Sequence, residues 1–95
     1  MVVGICKIEL CIADALSLKD KRMVLRSIKD RLKIKFNIAI AEVDKNDSWR
    51  MAELGITCVS NEGAHVDSIM SSVVNFLERD GRAQIIDYYT EQIHI

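Results

Sequence analysis

The stretch Phe36–Ser60, FNIAIAEVDKNDSWRMAELGITCVS, decides the architecture. Phe36–Val43 (FNIAIAEV) reads as a strand, Asp44–Ser48 (DKNDS) carries the Asp and Asn residues of a hairpin turn, and Trp49–Ser60 runs back as a second strand. Two strands follow one another directly, so the elements on either side set the fold class.

Upstream, Ser17 followed three residues later by Asp20 resembles a capping box, with an acid one carbon shorter than the usual Glu. It opens a helix from Leu18 to about Lys35. Before it, Val2–Ile12 sets Cys6, Ile8, Leu10 and Ile12 against Lys7, Glu9 and Cys11, the alternation of a strand with one buried face. Downstream, Asn61 or Ser60 caps a helix from Glu62 to about Arg79, with Val66, Ile69, Met70, Val73 and Leu77 at helical spacing. Asp80-Gly81 stops that helix. Ala83–Ile95 closes the chain as a fourth strand whose imperfect alternation points to a bulge near Asp87.

The order β-α-β-β-α-β is the split βαβ, or ferredoxin-like, α+β arrangement: a four-stranded antiparallel sheet with two helices on one face. The whole chain, residues 1–95, reads as one such domain. Topology places the start of the first helix, the Asp44–Ser48 hairpin and the end of the second helix at one edge. The end of the first helix, the start of the second and both termini lie at the other.

The composition, 49% hydrophobic, is sufficient for a compact core without staples. No apolar run is long enough to span a bilayer and no secretory signal opens the chain, so a cytoplasmic location away from membranes is expected. The three cysteines, Cys6, Cys11 and Cys58, have neither disulfide parity nor metal spacing. Cys6 and Cys11 fall on opposite faces of a strand, which excludes a shared cluster.

The net charge of −1 conceals an asymmetry. Lys19–Lys35 holds eight basic and two acidic residues, while the rest of the chain holds five basic and twelve acidic. At 100° per residue Lys19, Arg22, Arg26, Lys29 and Lys33 fall within an arc of about 80°, a cationic stripe roughly 21 Å long. Such a stripe is either an ordinary solvated face or a track for the phosphates of a nucleic acid.

The first turn poses a separate problem. Lys19, Lys21 and Arg22 stand where a helix presents unpaired N–H groups and the positive end of its dipole. Glu42, Asp44 and Asp47 lie at the same edge and offer internal partners, as exposed pairs contributing ~0–1 kcal/mol each. The competing partner is an external polyanion such as RNA, whose contacts here would be with phosphate.

Other constellations do not assemble. His65 opens the second helix at the far edge from Glu42, Asp44 and Asp47, so no metal site is expected and no cofactor is implied. No Ser, Cys or acid is placed to make His65 a catalytic base, and His94 is isolated near the terminus. Trp49 at the hairpin exit is expected to be a lid on the core, its other role being a stacking platform for a base. Lys7, Glu9, Glu53 and Thr57 occupy the open sheet positions where an RNA-recognition motif would place aromatics. The glycine-rich anion loop of an acylphosphatase has no counterpart in CIADALSL. The chain therefore reads as non-catalytic.

The segments MVVGICKIEL, SLKDKRMVLRSIKDRL and FNIAIAEVDKNDSWRMAELGITCVSNEGAHV, in this order, resemble the YlxP-like family of small bacterial proteins over about the first 80 residues. The resemblance implies a ferredoxin-like fold, no established catalytic residues and genes that often neighbour those of translation and ribosome-assembly factors. Two functions remain on these grounds. One is an RNA- or ribosome-associated module acting through the stripe. The other is a protein-interaction module, homodimeric or heteromeric, acting through the open sheet face or an edge strand.

Overall fold

A computed structural model describes residues 1–95. The chain folds as β1 (Val2–Cys11), α1 (Leu18–Lys35), β2 (Ala39–Asp44), β3 (Met51–Ser60), α2 (Gly63–Asp80) and β4 (Gln84–His94). The four strands form one antiparallel sheet in the order β2-β3-β1-β4, the ferredoxin-like topology. Alternation along the central strands sends Cys6, Ile8 and Leu10 of β1 and Ala52, Leu54 and Ile56 of β3 to one face. There they are buried against Leu25, Ile28 and Leu32 of α1 and Val66, Met70, Val73 and Leu77 of α2. No helix is long and apolar enough to cross a membrane.

The element ends show what the periodicity left out. Ser17 Oγ accepts from the Asp20 N–H at 3.1 Å, but the Asp20 carboxylate returns to the Leu16 N–H at 3.1 Å, one residue before the cap. The shorter acid thus reaches a neighbouring donor. β2 starts at Ala39, three residues later than expected, because Phe36 is the C-cap of α1 and the Ile38 N–H bonds back to the Phe36 carbonyl. β3 starts at Met51, so Trp49 and Arg50 belong to the bend before it. α2 is capped by neither Asn61 nor Ser60: Glu62 is its N-cap, and it makes no side-chain capping bond. The bulge in β4 falls where the register slips between Glu9 and Leu10, leaving Ile86 extra, one residue from Asp87.

α2 ends on Gly81, whose φ of 75° is the left-handed conformation glycine adopts without strain. Beyond it, Arg82 grips the Asp80 carboxylate at 2.7 and 2.9 Å and donates to Ser27 Oγ of α1 at 3.0 Å, while Arg31 stands 3.5 Å from Asp80. The hydrogen bond from Arg82 holds the Asp80 carboxyl below its ordinary pKa. The two helices and the loop that leads into β4 are thereby joined on one flank of α1.

At its opposite edge α1 is held by a buried cation. Lys21 lies on the helix face of Leu25, Ile28 and Leu32 and is fully buried. Its Nζ donates to Glu42 Oε2 at 2.9 Å and to the backbone carbonyls of Lys45, Asn46 and Met51 at 2.9, 3.3 and 3.2 Å. An exposed pair was the expectation for this cation; the structure corrects it to a buried one. The carbonyls converge because Val43 is bulged out of the β2–β3 register and Lys45 takes a left-handed φ of 61°.

Two substitutions probe these contacts by urea unfolding. Lys21→Ala leaves the Glu42 carboxylate and three carbonyls without their donor and is expected to lose about 3–5 kcal/mol, with Glu42→Gln losing less because it keeps an acceptor. A Lys21→Ala midpoint unchanged from wild type refutes the lock. A Cβ at Gly4 would stand 2.5 Å from Val66 Cγ1 and 3.0 Å from both Cys58 Sγ and Met70 Cε. Gly4→Ala is therefore expected to lose about 1–3 kcal/mol, partly recovered by Val66→Ala in the same chain.

Candidate nucleic-acid interface

α1 divides its circumference into three. The line of Lys21, Leu25, Ile28 and Leu32 is buried, the flank of Ser27 and Arg31 turns to Arg82 and Asp80, and the stripe occupies the other flank. Lys19, Arg22, Arg26 and Lys33 are exposed and Lys29 is half-buried. None of the five stands within 4.0 Å of a carboxylate oxygen. Of the three acids at the hairpin edge, Glu42 alone reaches a first-turn cation, Lys21. Asp44 accepts from the Lys45 N–H at 2.7 Å, and Asp47 pairs with no cation. Lys19, in the first turn at the positive end of the helix dipole, and Arg22, just beyond that turn, thus stay without an internal counterion.

The open face of the sheet has the opposite sign. The registers set Asp44 opposite Glu53, Glu53 opposite Glu9 and Glu9 opposite Asp87, a row of four carboxylates crossing all four strands. Neighbouring strands lie ~4.8 Å apart, and like charges directly opposite destabilise a sheet. Lys45 relieves the row in part, donating to Glu9 Oε1 at 3.0 Å, and this hydrogen bond raises the Lys45 pKa. Lys7, Tyr88 and Tyr89 line the same shallow cleft of about 360 Å³ beside Glu9, Glu53 and Asp87. Thr57, also on this face, donates to the Gly4 carbonyl at 2.7 Å. A polyanion is repelled from this surface.

The remaining candidates resolve locally. Ser60 Oγ lies 3.0 Å from His65 Nδ1, a contact not expected from the sequence. The same oxygen accepts from the Glu62 N–H at 3.2 Å, so Ser60 organises the turn into α2, and no third residue orients the imidazole. His94 Nε2 lies 3.1 Å from Gln92 Oε1. No group of three or more His, Cys, Asp or Glu side chains has the geometry to hold a metal ion. Burial pushes the Cys6 thiol up to about 11 and raises the Cys58 thiol as well, keeping both in their unreactive protonated forms. Trp49 is 51% exposed and is not the core lid expected of it.

The acidic row escapes a reading by sequence, because it needs tertiary register. The row depends on two bulges that no alternation pattern fixes, whereas the stripe is visible from helical periodicity alone.

Comparison with known proteins agrees with the topology. The fold is similar to that of the de novo designed protein Foldit4, with a TM-score of 0.56 at 7% identity, covering 100% of this chain and 99% of the other. It is also similar to LFR1 1, a de novo designed protein with ferredoxin fold, with a TM-score of 0.58 at 13% identity over 98% of this chain and 84% of that one. At the level of sequence, the chain is 35% identical over 77 residues to the uncharacterized protein YlxP of Bacillus subtilis (strain 168), covering 81% of this chain and 84% of the relative. The profile of the family described as protein of unknown function DUF503 matches residues 3–90, and the chain belongs to that family.

Proposed function

We propose that this chain is a non-catalytic, cytoplasmic module that associates with RNA or a ribosomal particle through phosphate contacts of Lys19, Arg22, Arg26, Lys29 and Lys33. The observation that carries this reading is the pairing state of α1: Lys21 and Arg31 have carboxylate partners within the chain, and the five cations of the stripe have none. Along ~21 Å of helix they present separated positive charges, the arrangement that neutralises successive phosphates and releases their counterions. The acidic row on the open sheet face directs a polyanion to the helix side. Contacts of this kind fix position and carry little sequence information.

A second reading rests on β4, an edge strand of 11 residues paired on one side with β1. Ile86, Tyr88, Tyr89 and Ile93 are 40–53% exposed along it, and the strand contains neither Lys nor Pro, the residues that commonly block edge pairing. It would serve a protein partner, a second copy of this chain included. Association of two copies through the open faces is disfavoured by the like-charged rows.

Two measurements separate these readings. Five phosphate contacts on a single strand predict a slope near −3.5 in log affinity against log salt, or roughly a 100-fold loss between 50 and 200 mM. The triple variant Arg22→Glu, Arg26→Glu, Lys29→Glu is expected to lose co-sedimentation with ribosomal particles; unchanged co-sedimentation rules out the proposed face. Light scattering tests the edge: a doubled mass that Tyr88→Lys returns to monomer supports β4 pairing, and a monomer at high concentration removes the homodimer.

A further inference from the structure

Trp49 is the chain's one tryptophan, and about half of its surface is open to solvent. Burying an indole removes ~150–250 Å² from water, so a half-exposed Trp leaves much of that stabilisation unused. The core at this end is closed without it, by Ile12, Ala15 and Ala52, each 2% exposed or less.

The neighbouring arginine braces the ring. Arg50 places its guanidinium carbon 5.7 Å from the Trp49 ring centroid, while its Nε donates to the Ala15 carbonyl at 3.3 Å. The Arg50 carbonyl accepts from the Ile12 N–H at 2.7 Å. Three contacts therefore fix an aromatic and cationic pair against the segment that leads into α1. Lys19 is four positions beyond Ala15, at most ~14 Å of chain. The pair thus stands at the end of the domain where the stripe begins with Lys19 and Arg22. A braced, exposed indole at the same end of the domain as the start of a line of unpaired cations combines the two elements that hold single strands: charge along the backbone and a flat surface for a base.

We infer that Trp49, held by Arg50, is a stacking platform for an unpaired base, so that the ligand of the α1 stripe is single-stranded or looped RNA and not duplex. This deepens the phosphate-binding reading and rests on it. Bases in a duplex are already stacked on one another and present no free face, whereas those of loops and ends do. The stripe positions the strand, and Trp49 selects its single-stranded state.

Because Trp49 is the sole tryptophan, its emission reports on this one position. The experiment titrates the full chain at 50 mM salt with a fluorescein-labelled single-stranded RNA dodecamer and with a labelled RNA duplex, reading label anisotropy and tryptophan emission together. Single-stranded RNA is expected to quench Trp49 in step with the anisotropy rise. Trp49→Ala is expected to weaken single-strand binding roughly ten-fold and leave any duplex binding unchanged. Trp49→Phe should retain most of the affinity, which keeps the test informative should the alanine variant fold poorly. Single-strand binding with unchanged emission and equal affinity of Trp49→Ala overturns the platform while the stripe reading stands, as does a duplex bound as tightly as the single strand. No anisotropy change with either RNA overturns the stripe reading and the platform with it.

Discussion

The contact of Lys21 with Glu42 and three hairpin carbonyls is the constraint on which the hairpin end of the molecule depends. Its ammonium has three protons and faces four oxygens, so one proton is shared. A compact, rotatable cation meets acceptors arriving from several directions, which the planar fork of an arginine would not. The acceptors converge through two local distortions, the bulge at Val43 and the left-handed Lys45. Gly55 accommodates the first, since a Cβ there would come 2.8 Å from Val43 Cγ1. Desolvating the pair costs much of what the Coulomb attraction returns, so its main effect is to fix where the hairpin sits beneath α1. The positions of Trp49, Arg50 and the first turn follow from that placement.

The same contact sharpens the electrostatics. By withdrawing one cation and one acid into the interior, it leaves the stripe on α1 and the row of Asp44, Glu53, Glu9 and Asp87 on the far side of the sheet. A helix packs ~10 Å from the layer beneath it, and the Debye length at physiological salt is ≈ 8 Å. The two faces therefore neutralise each other little through the solvent. A partner meets a cationic or an anionic surface, and the net charge of −1 describes neither.

The β-α-β-β-α-β order was legible because each element carries a strong period, 2 in the strands and 3.6 in the helices. Lys21 shows where residue type misleads. Its spacing of four, seven and eleven from Leu25, Ile28 and Leu32 places it on the buried line, yet within a charged run it reads as solvated. The signal was periodic and the chemistry of the side chain obscured it. Trp49 erred the other way, because an indole after a hairpin usually covers the core, and here β3 begins two residues later at Met51. The acidic row was out of reach, since opposing residues across four strands are known only once the bulges are placed. Ser60 beside His65 likewise depends on the angle at which β3 enters α2.

The segment SLKDKR can now be divided by task. Ser17 caps the helix, Asp20 returns a bond to Leu16 and Lys21 holds the hairpin, so three of its residues build structure. Lys19 and Arg22 build none, although Lys19 stands in the first turn at the dipole's positive end, where a cation is unfavourable by ~0.3–1 kcal/mol, and Arg22 follows just beyond that turn. Solvation alone does not call for cations at that position, since acids there would be equally soluble and would suit the dipole. The cost is offset when an anion occupies the first turn, and a phosphate at Lys19 and Arg22 meets the same helix N-terminus that repels them. The segment's structural residues therefore account for its fold, and its two unpaired cations are the part that a ligand would explain.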